Sequence, residues 1–200
     1  MFLKAIIRCV AILLVLPLLA SHFLLSLISS PDRSLESHSQ CLSLFPGTTG
    51  SYLRVAFYRF ALDHCAASAT ISFGTLFSKV GARIEENVYI GPRCCLGLVT
   101  LQRDVLLGPG VQIPSGPQTH GIARLDVPIR TQPGTPQRIT IGRDSWIGAA
   151  SIVLASIADQ TIIGAGSIVT KPTGPRVIAV GNPATPLAER KPPTTLNETS

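Results

Sequence analysis

The feature that most constrains this chain is a spacing of six residues. Ile84, Ile90 and Leu96 lie six apart, as do Leu101, Leu107 and Ile113, then Ile141, Ile147 and Val153, and later Ile163 and Val169. A glycine often follows the aliphatic residue, at Gly91, Gly97, Gly108, Gly142, Gly148 and Gly164. A second small or apolar residue stands four after it, at Val88, Cys94, Val105, Val111, Ser145, Ser151 and Ser167. A period of six fits neither a helix face nor a strand's alternation. It is a short strand plus a corner, the unit of a β-solenoid. One such coil cannot bury its apolar face alone, so several must stack. The spacing therefore predicts a mainly-β chain, wound as a parallel β-helix over residues 71–190.

The breaks in the repeat carry information. Leu96 to Leu101 is one short of six and Val153 to Ile163 two short of twelve, where tightened corners are expected. Between Ile113 and Ile141 the polar, Pro-rich run SGPQTHGIARLDVPIRTQPGTPQR interrupts the pattern. Long excursions from regular architecture are usually functional. Residues 191–200, KPPTTLNETS, read as a disordered tail.

Ahead of the repeats, residues 1–30 form a membrane segment: Ala5 to Ile28 is almost wholly apolar and long enough to cross a bilayer. Residues 29–50, rich in Ser, Pro and Gly, read as a linker. Ser51 then caps a helix to about His64, with Leu53, Phe57, Phe60, Ala61 and His64 on one face. Together residues 31–70 are a linker and short helix. The apolar run has three readings: a spanning anchor, a cleaved signal, or a monotopic insertion bent at Pro17. Lys4 and Arg8 precede it and only Arg33 follows closely, so the positive-inside rule would export the rest of the chain. A hairpin-like insertion, or a span oriented against this weak charge bias, keeps that remainder in the cytoplasm.

The formal net charge is +6, but only 14% of residues are charged and no basic block stands out. A nucleic-acid partner is therefore not expected. The five cysteines lack CxxC spacing, and neither a zinc site nor a disulfide framework is indicated.

Several segments beyond the repeat are distinctive: FPGTTGSYLRVAFYRFALDHC, the SGPQTHG loop, PIRTQPG, ITIGRDSWIGAASIVLASI, IIGAGSIVTKP and VGNPA. On these, residues 45–190 resemble the left-handed β-helix, hexapeptide-repeat acyltransferases, particularly O-acetyltransferases of the colanic-acid and other exopolysaccharide pathways. The resemblance implies left-handed coils, acetyl-CoA as donor, no metal, and a homotrimer with its cofactor groove between subunits. It implies a general base on the extended loop, which here is His120. Imidazole titrates near neutrality and suits taking a proton from an acceptor hydroxyl. Thr119 separates Gln118 from His120, where family members often read Gln-His-Gly, and Asp126 is the candidate orienting partner. Trp146 corresponds to a residue near pantetheine and acceptor, Ala149 to a backbone N–H facing the thioester, and Ala165 to a close approach of pantetheine. Thr170 and Lys171 correspond to a cofactor-phosphate contact and Pro183 to the adenine end. The basic residues usual after Gly-Asn-Pro-Ala are replaced by Thr185 and Ala188, with Arg190 displaced.

Two other classes compete with this one. A γ-type carbonic anhydrase needs three zinc-binding histidines on adjacent coils, but only His64 and His120 lie in or near the repeats. A non-catalytic β-helix scaffold would need neither the histidine loop nor Thr170-Lys171. Transfer to an amine, as an N-acetyltransferase, is left open because either acceptor must lose a proton. A sugar or glycan precursor is the expected acceptor.

Overall fold

The computed structural model describes residues 2–191, with side chains from Lys4 onward; beyond Lys191 the expected tail lies outside the described residues. Three helices come first: α1 (Phe2–Ile28), α2 (Pro31–Ser43) and α3 (Gly47–Ala61). A left-handed parallel β-helix follows. Its first face stacks β1 (His64–Cys65), β4 (Arg83–Ile84), β7 (Val99–Leu101) and β10 (Ile139–Ile141). The second stacks β2 (Thr70–Ile71), β5 (Tyr89–Ile90), β8 (Leu106–Leu107), β11 (Trp146–Ile147), β13 (Ile162–Ile163) and β15 (Val177–Gly181), with β16 (Ala184–Glu189) turned back antiparallel on β15. The third stacks β3 (Leu76–Phe77), β6 (Cys95–Leu96), β9 (Gln112–Ile113), β12 (Ile152–Val153) and β14 (Ile168–Val169).

The spacing of six becomes geometry directly. Its aliphatic residues, such as Ile90, Leu107, Ile147 and Ile163, are fully buried and lie in register one above the other. The residues four later are buried too, and the polar ones bond to a neighbouring coil: Ser145 Oγ donates to Ala158 O (3.0 Å) and Ser151 Oγ to Gly164 O (3.0 Å). A hydroxyl is tolerated inside because its partner is built in. The irregularity after Val153 is a tightened corner: Ile157 is buried and bridges to Ile141.

The helical region departs from the sequence reading in four ways. The expected linker contains α2, capped by Ser30 Oγ on Arg33 N–H with Pro31 in the first turn. Its buried face is largely polar (Ser34, His38, Ser39, Ser43), which conceals the apolar stripe that would reveal a helix. The helix expected from Ser51 starts at Gly47 after Pro46, while Ser51 Oγ instead accepts from Ile71 N–H (3.3 Å) in the first coil. Its buried residues run consecutively from Arg54 to Tyr58 while Phe60 is exposed, because α3 is held between α1, α2 and the solenoid. Finally, α1 runs unbroken through Pro17; the chain reverses at Ser29–Ser30, not at the proline.

The helices cover the open end of the first coil, as a terminal cap must in a stacked-repeat protein. Ser39 Oγ accepts from Phe77 N–H (2.8 Å) and bonds Tyr58 Oη (2.7 Å), and the Tyr58 ring packs on Phe77 at 4.6 Å. Arg54, fully buried, donates to Ile71 O (2.9 Å), Leu42 O (3.1 Å) and Phe45 O (2.7 Å). One guanidinium thereby ties α3, the α2–α3 turn and β2 together.

Candidate functional site

The run between β9 and β10 leaves the solenoid at the edge where the third face meets the first, and it folds into an arm. Its two limbs pair antiparallel: Gln137 N–H donates to Ser115 O (2.7 Å), Thr135 N–H to Gln118 O (2.7 Å), and Gly121 N–H to Gln132 O (3.4 Å). His120 stands within this ladder with its side chain exposed. Gly134 faces it, so close that an added Cβ would strike Thr119 O and lie 2.7 Å from His120 N. Only glycine allows the limbs to meet there. Arg138 fastens the returning limb to the first face, donating to Gly81 O (2.7 Å) and Thr100 Oγ1 (3.2 Å).

Gln132, buried and missed by the sequence reading, organises the arm's tip. Its Oε1 accepts from Arg124 N–H (3.0 Å), and its Nε2 donates to Arg124 O (2.7 Å) and Val127 O (3.2 Å). A polar side chain in a polar loop gives no sequence signal beyond its place in PIRTQPG. Asp126 is not paired with His120. It takes both Nε (3.0 Å) and Nη2 of Arg124, and this hydrogen bonding holds its carboxyl below the usual range. Among the described residues no side chain bonds the His120 ring.

Three of the other expected site residues, Ala149, Ala165 and Pro183, fall on a different edge. Ala149 and Ala165 occupy successive corners between the second and third faces, joined by Gly166 N–H donating to Ala149 O (2.8 Å). Gly148 leaves no room for a Cβ against the Ala165 backbone, so the two corners stack directly. The N–H of Ala149 meets no acceptor among the described residues. Pro183, after a cis Asn182–Pro183 peptide, sits in the β15–β16 turn of the same series. Trp146 precedes Ala149 on β11 and points outward, half-exposed, between Leu106 and Ile162 of adjacent coils. Thr170 and Lys171, both exposed, follow β14 on the edge from which the arm departs. Arg190 is already engaged: its Nη1 donates to Asp144 Oδ2 (3.1 Å) and Asp144 O (3.2 Å).

One chain thus sorts these residues onto two edges, with the third face between them. The arm and Lys171 lie on one, and Ala149, Ala165 and Pro183 on the other. None of them lines the 550 Å³ cavity at the N-terminal end of the solenoid.

No family model matches the sequence. The galactoside O-acetyltransferase of Escherichia coli is 36% identical over 94 residues, which cover 46% of this chain and 44% of that protein. The chain therefore spans under half the length of such curated relatives. Among solved structures, a hexapeptide-repeat acetyltransferase of Vibrio cholerae superposes with a TM-score of 0.63 at 19% identity, covering 82% of this chain and 95% of that one. AntD, an N-acyltransferase from Bacillus cereus solved with dTDP and 3-hydroxybutyryl-CoA, has a TM-score of 0.52 at 16% identity over 62% of this chain and 70% of its own.

Proposed function

We propose that this protein transfers an acetyl group from acetyl-CoA to a hydroxyl of a sugar or glycan precursor, with His120 as general base. The observation that carries the reading is the arm itself, a braced excursion that holds an exposed imidazole off an otherwise regular solenoid. A scaffold would gain nothing from it. The O-acetyltransferase name of the Escherichia coli relative supports a hydroxyl acceptor, and the acyl-CoA bound by AntD supports the donor class.

In this reading the imidazole Nε2 or Nδ1 takes the acceptor's proton as its oxygen attacks the thioester carbon. The Ala149 N–H donates to the developing oxyanion, and coenzyme A leaves as thiol after reprotonation. Trp146 and Ala165 line the pantetheine path, Thr170 and Lys171 meet cofactor phosphate, and Pro183 lies at the adenine end. The two-edge arrangement supports a homotrimer, in which the arm of one copy meets the Ala149 edge of the next and cyclic symmetry yields three equivalent sites. The acceptor would belong to the exopolysaccharide type, handled at the membrane by a catalytic domain on the cytoplasmic side, where acetyl-CoA is found.

Replacing the base tests this directly. His120→Ala is expected to lower acetyl transfer by about 100- to 10,000-fold while acetyl-CoA binding changes by no more than a few-fold. Wild-type turnover in that variant would remove His120 from the mechanism. Assaying matched hydroxyl- and amine-bearing sugars decides between O- and N-transfer.

A further inference from the structure

The 550 Å³ cavity lies where the start of α1, the start of α3 and the first coils meet, and nothing in the acetyl-transfer reading uses it. Its lining includes two cations, Lys4 and Arg8, and the hydroxyls of Ser51 and Thr70, but no carboxylate. Neither cation forms an ion pair among the described residues, and Arg8 Nε is buried without an acceptor there. The α3 N-terminus opens into the same space: Gly47 and Thr48 line it, and Pro46 provides no side-chain cap for their N–H groups. Unpaired positive charge, free N–H donors and hydroxyls in one concavity are the groups that would hold a phosphate.

The orientation of α1 says where the phosphate comes from. Lys4, Arg8, Ala11, Val15, Leu19 and His22 recur at helical spacing on one side of α1. From Ala11 on, that side is buried, and His22 Nδ1 bonds Ser34 Oγ of α2 at 3.0 Å. The opposite side presents Ile6, Val10, Leu13, Leu24 and Leu27, all exposed. A helix crossing a bilayer on its own would strip away those partners, whereas one lying in the membrane plane keeps them and buries only its outer side. A helix is ~10 Å across, so sinking its outer side among acyl chains sets its inner side at headgroup level.

We propose that α1 lies in the membrane plane and that the Lys4–Arg8 cavity receives the phosphate headgroup of an anionic membrane lipid. Both cations line the cavity, Lys4 exposed and Arg8 half-buried with its Nε enclosed, which separates this from a helix that merely attracts negative surfaces. The inference stands apart from acetyl transfer, since a chain with no transferase activity would bind vesicles in the same way.

The test is flotation of the full-length protein with phosphatidylcholine vesicles, with and without phosphatidylglycerol. The wild type is expected to bind both and to prefer the anionic vesicles by roughly 10- to 30-fold, given the usual increment per basic residue at a membrane surface. Lys4→Gln/Arg8→Gln should lose that preference and keep the binding to neutral vesicles. Thr70→Trp, at an exposed edge of the cavity, fills the space without altering charge and should lose the preference as well. If Thr70→Trp retains it while the charge variant does not, the attraction is diffuse and the headgroup site is refuted. No preference in the wild type, or binding that survives Leu13→Glu/Leu24→Glu, would equally overturn the proposal.

Discussion

The coils and the arm solve the same problem, fixing a side chain in space, by opposite means. In the coils each residue is held by the coil below and the coil above. Ile147, for example, lies between Leu107 and Ile163, with Trp146 N–H and Gly148 N–H both bonded to the next coil (2.9 and 2.7 Å). The arm has no such neighbours. It relies on a short antiparallel ladder, the fit of Gly134 against Thr119, and the buried amide of Gln132. Nearest-neighbour stacking accumulates stability over the repeats. The arm adds little to that sum: Leu125 at its tip is wholly exposed.

The largest expected effect attacks the coil side of this contrast. Ile147→Ala removes a fully buried side chain from a closed stack and should cost about 2–5 kcal/mol, read by urea unfolding. Leu125→Ala, in the arm, should leave the midpoint within about 0.5 kcal/mol. Equal losses would show that the arm is as integral to the fold as the coils.

Within the arm the contrast reverses. Gln132→Ala strands the Arg124 and Val127 backbone groups at the arm's tip, at a cost of about 1–3 kcal/mol falling chiefly on arm order. The proposed acetyl transfer should drop about 10- to 100-fold through kcat, because a small misplacement of a base costs that much rate, while urea unfolding of the solenoid stays cooperative. Gly134→Ala should act alike, since its Cβ displaces the limb bearing His120.

Thiol chemistry separates the buried and exposed regions with a smaller signal. Burial pushes Cys94 up to about 11 and Cys65 up to about 12, while Cys9 and Cys41 are exposed. The thiolate is the reacting species. Near pH 8, Cys41 and Cys9 should label with maleimide while Cys65 and Cys94 react only in denaturant. Vesicles should protect Cys9, on the outer side of α1, and leave Cys41 reactive. Labelling of Cys94 in the native protein would mean that the coils open locally.

The contrast also explains what could be read in advance. The solenoid is legible because each coil repeats one apolar demand, as in Ile84, Ile90 and Leu96, so a single spacing exposes the whole stack. The cap is far less so. Helix α2 satisfies its buried face with Ser34, His38 and Ser39, whose partners lie in α1 and the first coil, and no local pattern announces those bonds. Its start, Ser30-Pro31-Asp32, does carry a helix signal that the surrounding serine obscures. Arg54 reads as a surface arginine until the three carbonyls around it are placed. For the candidate site, the arm's length and His120 stand out in sequence, whereas the pairing of Asp126 with Arg124 and the bracing by Gln132 are tertiary facts.

The smallest effect concerns the corners. Asn87, Arg93, Asp104, Asp144, Ala150, Gln160 and Arg176 all have positive φ, the left-handed region that disfavours a side chain. The six after Asn87 donate their N–H to a carbonyl of the preceding coil: Arg93 to Phe73, Asp104 to Glu86, Asp144 to Arg103, Ala150 to Pro109, Gln160 to Arg143 and Arg176 to Asp159. The stack thus imposes a backbone conformation that the residue alone would avoid. Gln160, at φ 60, makes one long side-chain contact, 3.5 Å to Asp144 Oδ2, so little is lost on removing its side chain. Relief of the left-handed penalty is worth ~1–2 kcal/mol, and glycine's greater freedom in the unfolded chain returns ~0.5–1 kcal/mol. Gln160→Gly should therefore stabilise by roughly 0.5–1 kcal/mol, measured as a higher urea midpoint with an unchanged slope. A lower midpoint would show that the stacked coils hold this corner without strain.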